Sequence, residues 1–232
     1  MNRLCLTNLT RPGSQFTGAN DFADKKHNPI RMMKKKNHVA IFASGSGTNA
    51  QNLIEYFRDH PTIHISIIVS NRSDAYVLKR AENENVPHVV LSGKDWGENG
   101  NASQVLRDYG IDFIVLAGYL RLLPSWLIQK YPGRIVNIHP ALLPNYGGKG
   151  MYGDHVHKAV IASGDKQSGI TIHYVNEDYD KGDIIFQARC PVLPSDTPDS
   201  LAERIHELEY EHYPRVVEKL IMSNVGSVMG DL

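Results

Sequence analysis

The sequence predicts an α/β fold in which a mostly parallel β-sheet is covered by helices on both faces. Short apolar runs rich in β-branched residues alternate along the chain with amphipathic segments. Such runs suit parallel strands that are buried on both faces, joined by right-handed crossovers. Two later runs, 170–175 and 184–192, indicate an antiparallel pair, since the first of them alternates more between polar and apolar residues. The fold class is therefore α/β and Rossmann-like, with its last strands partly antiparallel.

The elements follow in a regular order. Buried strands are predicted at 38–44, 63–70, 86–91, 111–117 and from 134 to Pro140. Helices are predicted at 49–59, after an N-cap at Ser73 or Asp74, at 102–109 and at 124–131. Residues 93–100 read as a loop, and the four glycines after Pro144 predict a mobile loop or lid. A long helix begins near Thr197.

Composition limits the classes of partner. The chain has 232 residues, of which 41% are hydrophobic and 22% charged, and Lys+Arg equals Asp+Glu. This balance predicts a globular protein without a nucleic-acid or membrane partner. Cys5 and Cys190 form neither a C-x-x-C pair nor a disulfide framework, which favours a cytoplasmic location.

The first residues differ in character from the rest. Residues 1–36 lack the apolar run of a secretory signal and contain Asp21 and Asp24, which argue against a transit peptide. We expect a disordered extension at 1–36, one domain at 37–222 and a tail at 223–232. The functional start, at Met1, Met32 or Met33, is left open.

The clearest chemical pattern is R-I-V-N-I-H-P at 134–140. In a strand, Asn137 and His139 project to the same side, while Ile138 turns into the core. Pro140 cannot donate to a sheet ladder, so the pair is predicted at a carboxyl strand edge, where open parallel sheets bind ligands. A buried pair that only satisfies backbone groups is an equally good interpretation of this segment by itself.

A second candidate site is the stretch S-G-S-G-T-N at 44–49, between a predicted strand and a predicted helix. Free backbone N–H groups at a helix N-terminus suit a phosphate. The pattern matches neither the dinucleotide nor the P-loop fingerprint. Glycines at such a turn also occur for packing alone.

Other segments add possible walls to a site. The run 118–123 is aromatic and aliphatic and lies at a further strand end, which suits either core or a flat ligand. An acidic turn at 176–183 separates the antiparallel strands. His155 and His157 have metal-like spacing, but no cysteine or carboxylate cluster accompanies them, so we predict no metal.

These parts together suit acyl transfer. Asn137 could donate to an oxygen that becomes negative as a carbonyl carbon turns tetrahedral, and His139 could carry a proton beside a carboxylate. No serine or cysteine lies in a nucleophile elbow, so we infer direct attack by a substrate amine.

Four motifs, S-G-S-G-T-N, V-L-A-G-Y-L-R, N-I-H-P-A-L-L-P and D-Y-D-K-G, resemble those of the glycinamide ribonucleotide formyltransferases, in the folate-dependent formyltransferase superfamily. The resemblance spans about 38–220. It implies a seven-stranded, mostly parallel sheet. It also implies transfer of a formyl group from the co-substrate 10-formyltetrahydrofolate to the amine of 5'-phosphoribosylglycinamide, in de novo purine (IMP) biosynthesis.

The resemblance assigns roles to particular residues. Asn137 would hold the formyl oxygen, His139 would be the general acid-base, and Asp180 would orient His139 and a water. Residues implied to bind the phosphate or the ribonucleotide are Gly47, Thr48, Asn49, His206 and Glu209. Residues implied to bind folate are Tyr119, Leu120, Arg121, Leu122, Leu123, Asn137, Glu177, Asp178, Tyr179 and Asp180.

Two departures from the family pattern bear on this assignment. The region before the fourth strand offers only Lys94 where the family has a folate-contacting arginine, and the loop with His155 and His157 is longer than usual. Methionyl-tRNA formyltransferase and formyltetrahydrofolate deformylase, which carry extra domains, are alternatives, as is a non-catalytic nucleotide-sensing module. Small molecules are the expected partners, and a weak homodimer is left open.

Overall fold

The computed structural model describes residues 36–227, with side chains described up to residue 223. Residues 1–35 and 228–232 lie outside the described residues, and with them nearly all of the predicted extension and half of the predicted tail. The domain limits 37–222 stay a prediction, although the last helix continues to Ser227.

Strands and helices alternate as far as the fifth strand. The strands are β1 Asn37–Phe42, β2 Ile63–Ser70, β3 His88–Val90, β4 Phe113–Leu116, β5 Ile135–His139, β6 Gln167–Tyr174 and β7 Ile184–Pro191. The helices are α1 Thr48–Phe57, α2 Tyr76–Asn83, α3 Asn101–Asp108, α4 Ser125–Lys130, α5 Asp154–Ser163 and α6 Pro198–Ser227.

The strands form one seven-stranded sheet in the order β3-β2-β1-β4-β5-β6-β7. The pairs from β3 across to β5 are parallel. The pairs β5–β6 and β6–β7 are antiparallel. The predicted α/β class, with its antiparallel late strands, is therefore confirmed. Because the strand order reverses at β1 and β4, a crevice is expected outside the carboxyl ends of these strands.

The core lies on both faces of the sheet. In β1, Val39 and Ile41 belong to a cluster that includes apolar residues of α1, α2, α5 and α6. The alternate residues Ala40 and Phe42 belong to a second cluster with residues of α3 and α4. This two-sided burial explains why β1 reads as a continuous apolar run.

The predicted N-caps of α2, Ser73 and Asp74, are wrong, because Ala75 occupies that position without a side-chain cap. Asp74 instead accepts hydrogen bonds of 3.0 and 2.7 Å from Arg72. The backbone N–H of Val77 donates to Gly45 O at 3.1 Å, so the glycine loop satisfies a first-turn donor that a capping side chain would otherwise take.

The loop predictions need two further corrections. The predicted loop 93–100 contains a 3-10 turn, Gly93–Trp96, closed by a capping box between Ser92 and Asp95. Helix α5 occupies residues that follow the glycine-rich stretch and that the prediction leaves without an element. Its buried stripe includes Val156 and Val160, a pattern too short to stand out in a glycine-rich neighbourhood.

Candidate active site

One cavity of about 560 Å³ lies at the carboxyl ends of β1, β4 and β5. It has a strand end, formed by Asn137, His139 and Asp180, and a helix end, formed by residues 45–49, His206 and Glu209. Further lining comes from residues 117–120, 138, 140 and 148–153 and from His157 and Tyr179. The separate candidate segments of the sequence therefore meet in one place.

The strand end brings together the three residues expected to carry the chemistry. Asn137 Nδ2 lies 3.5 Å from Asp180 Oδ1. His139 Nδ1 lies 3.6 Å from Asp180 Oδ2. Ile138, between the two strand residues, is only 6% exposed and packs in the core, as the period of two requires.

The Asp180 carboxyl is buried yet well supplied with donors. Burial works to raise its pKa, but the interactions with His173 and His139 and the backbone N–H of Gly148 outweigh burial and lower the pKa. The Gly148 N–H donates to Asp180 Oδ2 at 2.9 Å. Asp180 is therefore an ionised carboxylate at neutral pH.

His139 is 3% exposed. Burial lowers its pKa, and this effect exceeds the opposing effects of Asp180 and of a hydrogen bond to the Tyr146 carbonyl. The carboxylate thus acts in the expected direction, but the net preference is for neutral imidazole. A neutral ring can accept a proton, which is what a general base must do.

The helix end is built on the N-terminus of α1. Gly47 precedes the helix with φ +72°, a conformation that favours glycine. A Cβ at this position would meet Val77 Cγ2 at 2.4 Å, so α2 packs directly against the loop. Arg80 Nε donates to Ser46 O at 2.8 Å and fixes the loop from the same helix. The first residues of α1 line the cavity, and free backbone N–H groups at a helix N-terminus suit an anion.

Glu209 closes the helix end from α6. It is 5% exposed, and its Oε2 accepts a 2.8 Å hydrogen bond from Asn49 Nδ2. Burial raises the pKa of Glu209 to about 7, against the opposing effect of Asn49. His206, one helical turn earlier, is exposed at the cavity and stacks on Tyr210.

Most of the residues expected to bind folate line one of two neighbouring spaces, and two of them line neither. A second depression of about 410 Å³ adjoins the first and is lined in part by Tyr119, Arg121, Leu122, Leu123 and Tyr179. Leu120 lines the main cavity. Glu177 and Asp178 are exposed and line neither space, so the structure does not bring them to the site.

The glycine-rich segment 145–153 covers the strand end, and α5 follows it. His157 lines the main cavity and is 3% exposed, and its Nδ1 has no hydrogen-bond partner among residues 36–227. His155 is exposed and packs its ring edge against Tyr152. Lys94 lies in the 3-10 turn, whereas the cation that lines the second depression is Arg121.

Known proteins share this sequence pattern and this fold. The model of the formyl transferase family matches residues 37–217, which is most of the chain. The chain belongs to the formyl transferase family. Its glycine loop, strand end and acidic turn all fall within the matched region.

Individual relatives of this formyl transferase agree. The chloroplastic phosphoribosylglycinamide formyltransferase of Arabidopsis thaliana is 42% identical over 189 residues, 79% of this chain and 65% of that protein. The phosphoribosylglycinamide formyltransferase of Haemophilus influenzae is 38% identical over 192 residues, 80% of this chain and 86% of that protein. The crystal structure of glycinamide ribonucleotide transformylase 1 from Geobacillus kaustophilus matches with a TM-score of 0.71 and 38% identity, covering 80% and 98% of the two chains. The chain thus spans just under two thirds of the plant relative.

One residue at the strand end of this formyl transferase escapes the sequence prediction. His173 is the cross-strand partner of Asn137 in the antiparallel β5–β6 pair. Its Nδ1 lies 2.8 Å from Tyr174 O and its Nε2 lies 3.1 Å from Asn137 Nδ2. Since a carbonyl only accepts, Nδ1 carries a proton. Nε2 faces both Asn137 Nδ2 and, at 3.6 Å, Asp180 Oδ1, and the contact with the amide orients Asn137. The alternation T-I-H in β6 is the one available signal, and it needs the strand register to be read.

Residues 36–227 also lack two kinds of feature. In this part of the chain, no helix has the length and apolar character needed to cross a membrane. Nor do three or more His, Cys, Asp or Glu side chains group there as ligands for a metal ion.

Proposed function

We propose that this formyl transferase acts on 5'-phosphoribosylglycinamide. It transfers the formyl group of 10-formyltetrahydrofolate to the substrate amine by direct attack, as a step of de novo purine (IMP) biosynthesis. The observation that carries the proposal is one cavity with Asn137, His139 and Asp180 at one end and the N-terminus of α1 at the other. Relatives at 38% and 42% identity that bear the corresponding name support it.

Asn137 serves the charge that develops during transfer. As the amine nitrogen bonds to the formyl carbon, the carbonyl oxygen becomes negative. Asn137 Nδ2 lies 3.1 Å from His173 Nε2 and 3.5 Å from Asp180 Oδ1. The longer contact with Asp180 is weak, so the N–H on that side can donate to this oxygen instead. A donor fixed before the reaction stabilises the transition state without reorganisation.

His139 and Asp180 handle the protons. The attacking amine loses a proton, and the folate nitrogen gains one as its bond to the formyl carbon breaks. A neutral His139 and an ionised Asp180 are both able to accept a proton. A water beside Asp180 can carry the proton of the amine to the folate nitrogen. Both side chains lie within 3.6 Å of each other, so the transfer stays within one pair.

The residues beside the strand end fit a folate donor. 10-Formyltetrahydrofolate supplies the activated formyl group. Leu122 is 48% exposed and Leu120 is 39% exposed, so apolar surface is available for a flat ring. Arg121 lines the adjoining depression and offers a cation for a carboxylate of the donor. Tyr179 lines both spaces and joins them.

The helix end fits the ribonucleotide. Backbone N–H groups at Gly47, Thr48 and Asn49 suit the phosphate, and Glu209 and His206 offer polar contacts to the sugar. We place the reaction in the cytoplasm, in line with the cysteine usage of the sequence. Small molecules are the partners, without nucleic acid or membrane, and a weak homodimer stays open.

The direct test is an assay of formyl transfer from 10-formyltetrahydrofolate to glycinamide ribonucleotide, with methionyl-tRNA as the competing acceptor. We expect formylation of the ribonucleotide and none of the tRNA. Formylation of the tRNA, or hydrolysis of the donor without an acceptor, would reject the assigned substrate. Ribonucleotide binding without any transfer would favour a sensing module instead.

A further inference from the structure

The ring of His139 is engaged on both nitrogens. Its Nε2 lies 2.7 Å from Tyr146 O, while its Nδ1 lies 3.6 Å from Asp180 Oδ2. A backbone carbonyl can only accept, so Nε2 must carry a proton in the neutral ring as well as in the charged one. The nitrogen that gains or loses a proton is therefore Nδ1, on the side of Asp180.

The same segment also holds the partner of His139. Two residues after Tyr146, the Gly148 N–H donates to Asp180 Oδ2 at 2.9 Å. Between them, a Cβ at Gly147 would lie 3.3 Å from Asp180 Cβ and 2.6 Å from Leu143 Cδ2. Segment 146–148 thus passes tightly over the His139–Asp180 pair and contacts both of its members.

Tyr146 has an unusual backbone for a residue in this position. Its φ is +56°, in the left-handed region that tyrosine rarely adopts. Its hydroxyl lies 2.5 Å from Asp165 Oδ2 and 2.6 Å from Ser163 Oγ, at the end of α5. A carboxylate oxygen accepts, so the tyrosine hydroxyl donates to Asp165. A strained conformation persists where surrounding contacts determine it, and this anchor is such a contact.

We propose that Tyr146 is a positioning residue for formyl transfer: its carbonyl fixes Nε2 as the protonated nitrogen of His139, and its anchored hydroxyl keeps that carbonyl in place. The inference rests on the proposed function for its consequence in catalysis. It assigns a chemical task to segment 146–148, because a loosened anchor would free the imidazole of His139 to change tautomer.

Other charged groups around His139 must be kept constant in a test. Asp180 faces it from the turn after β6, His173 from β6, and His157 from α5. Replacing the Tyr146 hydroxyl touches none of these. Because the Tyr146 carbonyl raises the pKa of His139, a looser carbonyl lowers the titration midpoint of the ring.

The experiment compares Tyr146→Phe with Asp165→Ala, which removes the exposed acceptor of the same hydrogen bond. Tyr56→Phe is the matched control, since the Tyr56 hydroxyl donates to Glu218 at 2.6 Å on the surface, outside the cavity. Nitrogen-15 NMR of the histidine rings reports tautomer and midpoint, with the His139 signals identified by their loss in His139→Asn. Transfer assays across pH report kcat and KM.

We expect wild type and Tyr56→Phe to show only the Nε2-protonated ring. Tyr146→Phe and Asp165→Ala should show a mixture of tautomers, a lower midpoint and a kcat reduced about three- to tenfold, the range expected for one lost hydrogen bond, with KM unchanged. A single unchanged tautomer and midpoint in both variants would overturn the inference. If wild type transfers no formyl group, the proposed function fails, while the NMR comparison still decides the role of Tyr146.

Discussion

The two ends of the cavity each contain a buried carboxyl group, and the pKa values of these two groups are shifted in opposite directions. At the strand end, the pKa of Asp180 is lowered although burial acts to raise it. At the helix end, burial raises the pKa of Glu209 to about 7. Both groups are largely shielded from solvent, with the Asp180 side chain 11% exposed and Glu209 5% exposed.

The difference lies in the partners. Asp180 faces His139 and His173 and accepts from the Gly148 N–H. Glu209 accepts from the neutral amide of Asn49, and within the described part of the chain no charged group offsets the cost of burying its charge. The comparison shows that burial alone does not set the protonation state of a site carboxyl. The strand end can therefore accept a proton near neutral pH. Glu209 at the helix end is still partly protonated there, a state that a bound anion would favour.

The largest effect is expected at the strand end from Asn137→Ala. Loss of the donor to the developing oxyanion should reduce kcat by about 10²–10³-fold. Ribonucleotide binding should be unchanged, because the helix end is intact. Assays of transfer and calorimetric binding check this, with the exposed Asn83→Ala as the control. Unchanged transfer with intact binding would refute the assigned mechanism.

Asp180→Asn separates the charge of the strand end from its shape. We expect kcat to fall by about 10², and the pH dependence of transfer to move to lower pH. The sign follows because the Asp180 carboxylate raises the pKa of His139, and its removal lowers that pKa. Asp178→Asn, exposed in the same turn, is the control. A profile that does not move would remove Asp180 from the pair.

Gly47→Ala tests the helix end without changing charge. The new Cβ would meet Val77 Cγ2 at 2.4 Å and require alanine at φ +72°. The α1 N-terminus should shift, so KM for the ribonucleotide should rise about tenfold, as one lost charge-assisted hydrogen bond would cause, with little change in kcat. Gly97→Ala is the control, since no atom of the described residues lies within 4 Å of a Cβ added there. Equal KM values in both variants would argue against phosphate binding at this loop.

Glu209→Gln has the smallest expected effect on transfer. Its main effect is expected on the pH dependence of the unfolding free energy. A carboxyl with a raised folded pKa stabilises the fold fully below its unfolded value. That contribution is lost as pH rises from about 4.5 through about 7. Wild type should therefore lose about 3 kcal/mol of unfolding free energy between pH 4.5 and 8 that Glu209→Gln does not lose. Urea unfolding measures this, with exposed Glu207→Gln as the control. An equal loss in wild type and Glu209→Gln would contradict it.

The sequence predicts the helix end and the strand end as separate parts. The period of two places Asn137 and His139 on one side of a strand, and the glycine loop follows β1. These are local patterns. The resemblance adds the acidic turn, of which the structure brings Tyr179 and Asp180 to the cavity while Glu177 and Asp178 stay outside.

What the sequence could not predict depends on contacts between distant residues. His173 reaches Asn137 through the register of an antiparallel pair, and register is set by the folded sheet. Tyr146 contacts His139 through its backbone carbonyl, which every residue has, so no side-chain pattern marks it. The raised pKa of Glu209 requires burial between α6 and α1, which its position on a helical stripe does not determine.

The opposite pKa shifts of Asp180 and Glu209 are tested most directly by a carbon-13 NMR titration of both side-chain carboxyls in the same protein sample. Signals are assigned by their loss in Asp180→Asn and Glu209→Gln. We predict that Glu209 titrates near pH 7 and that Asp180 stays ionised down to below its ordinary value of 3.8. Titration of both groups at ordinary carboxyl values, or in the reverse order, would contradict the account.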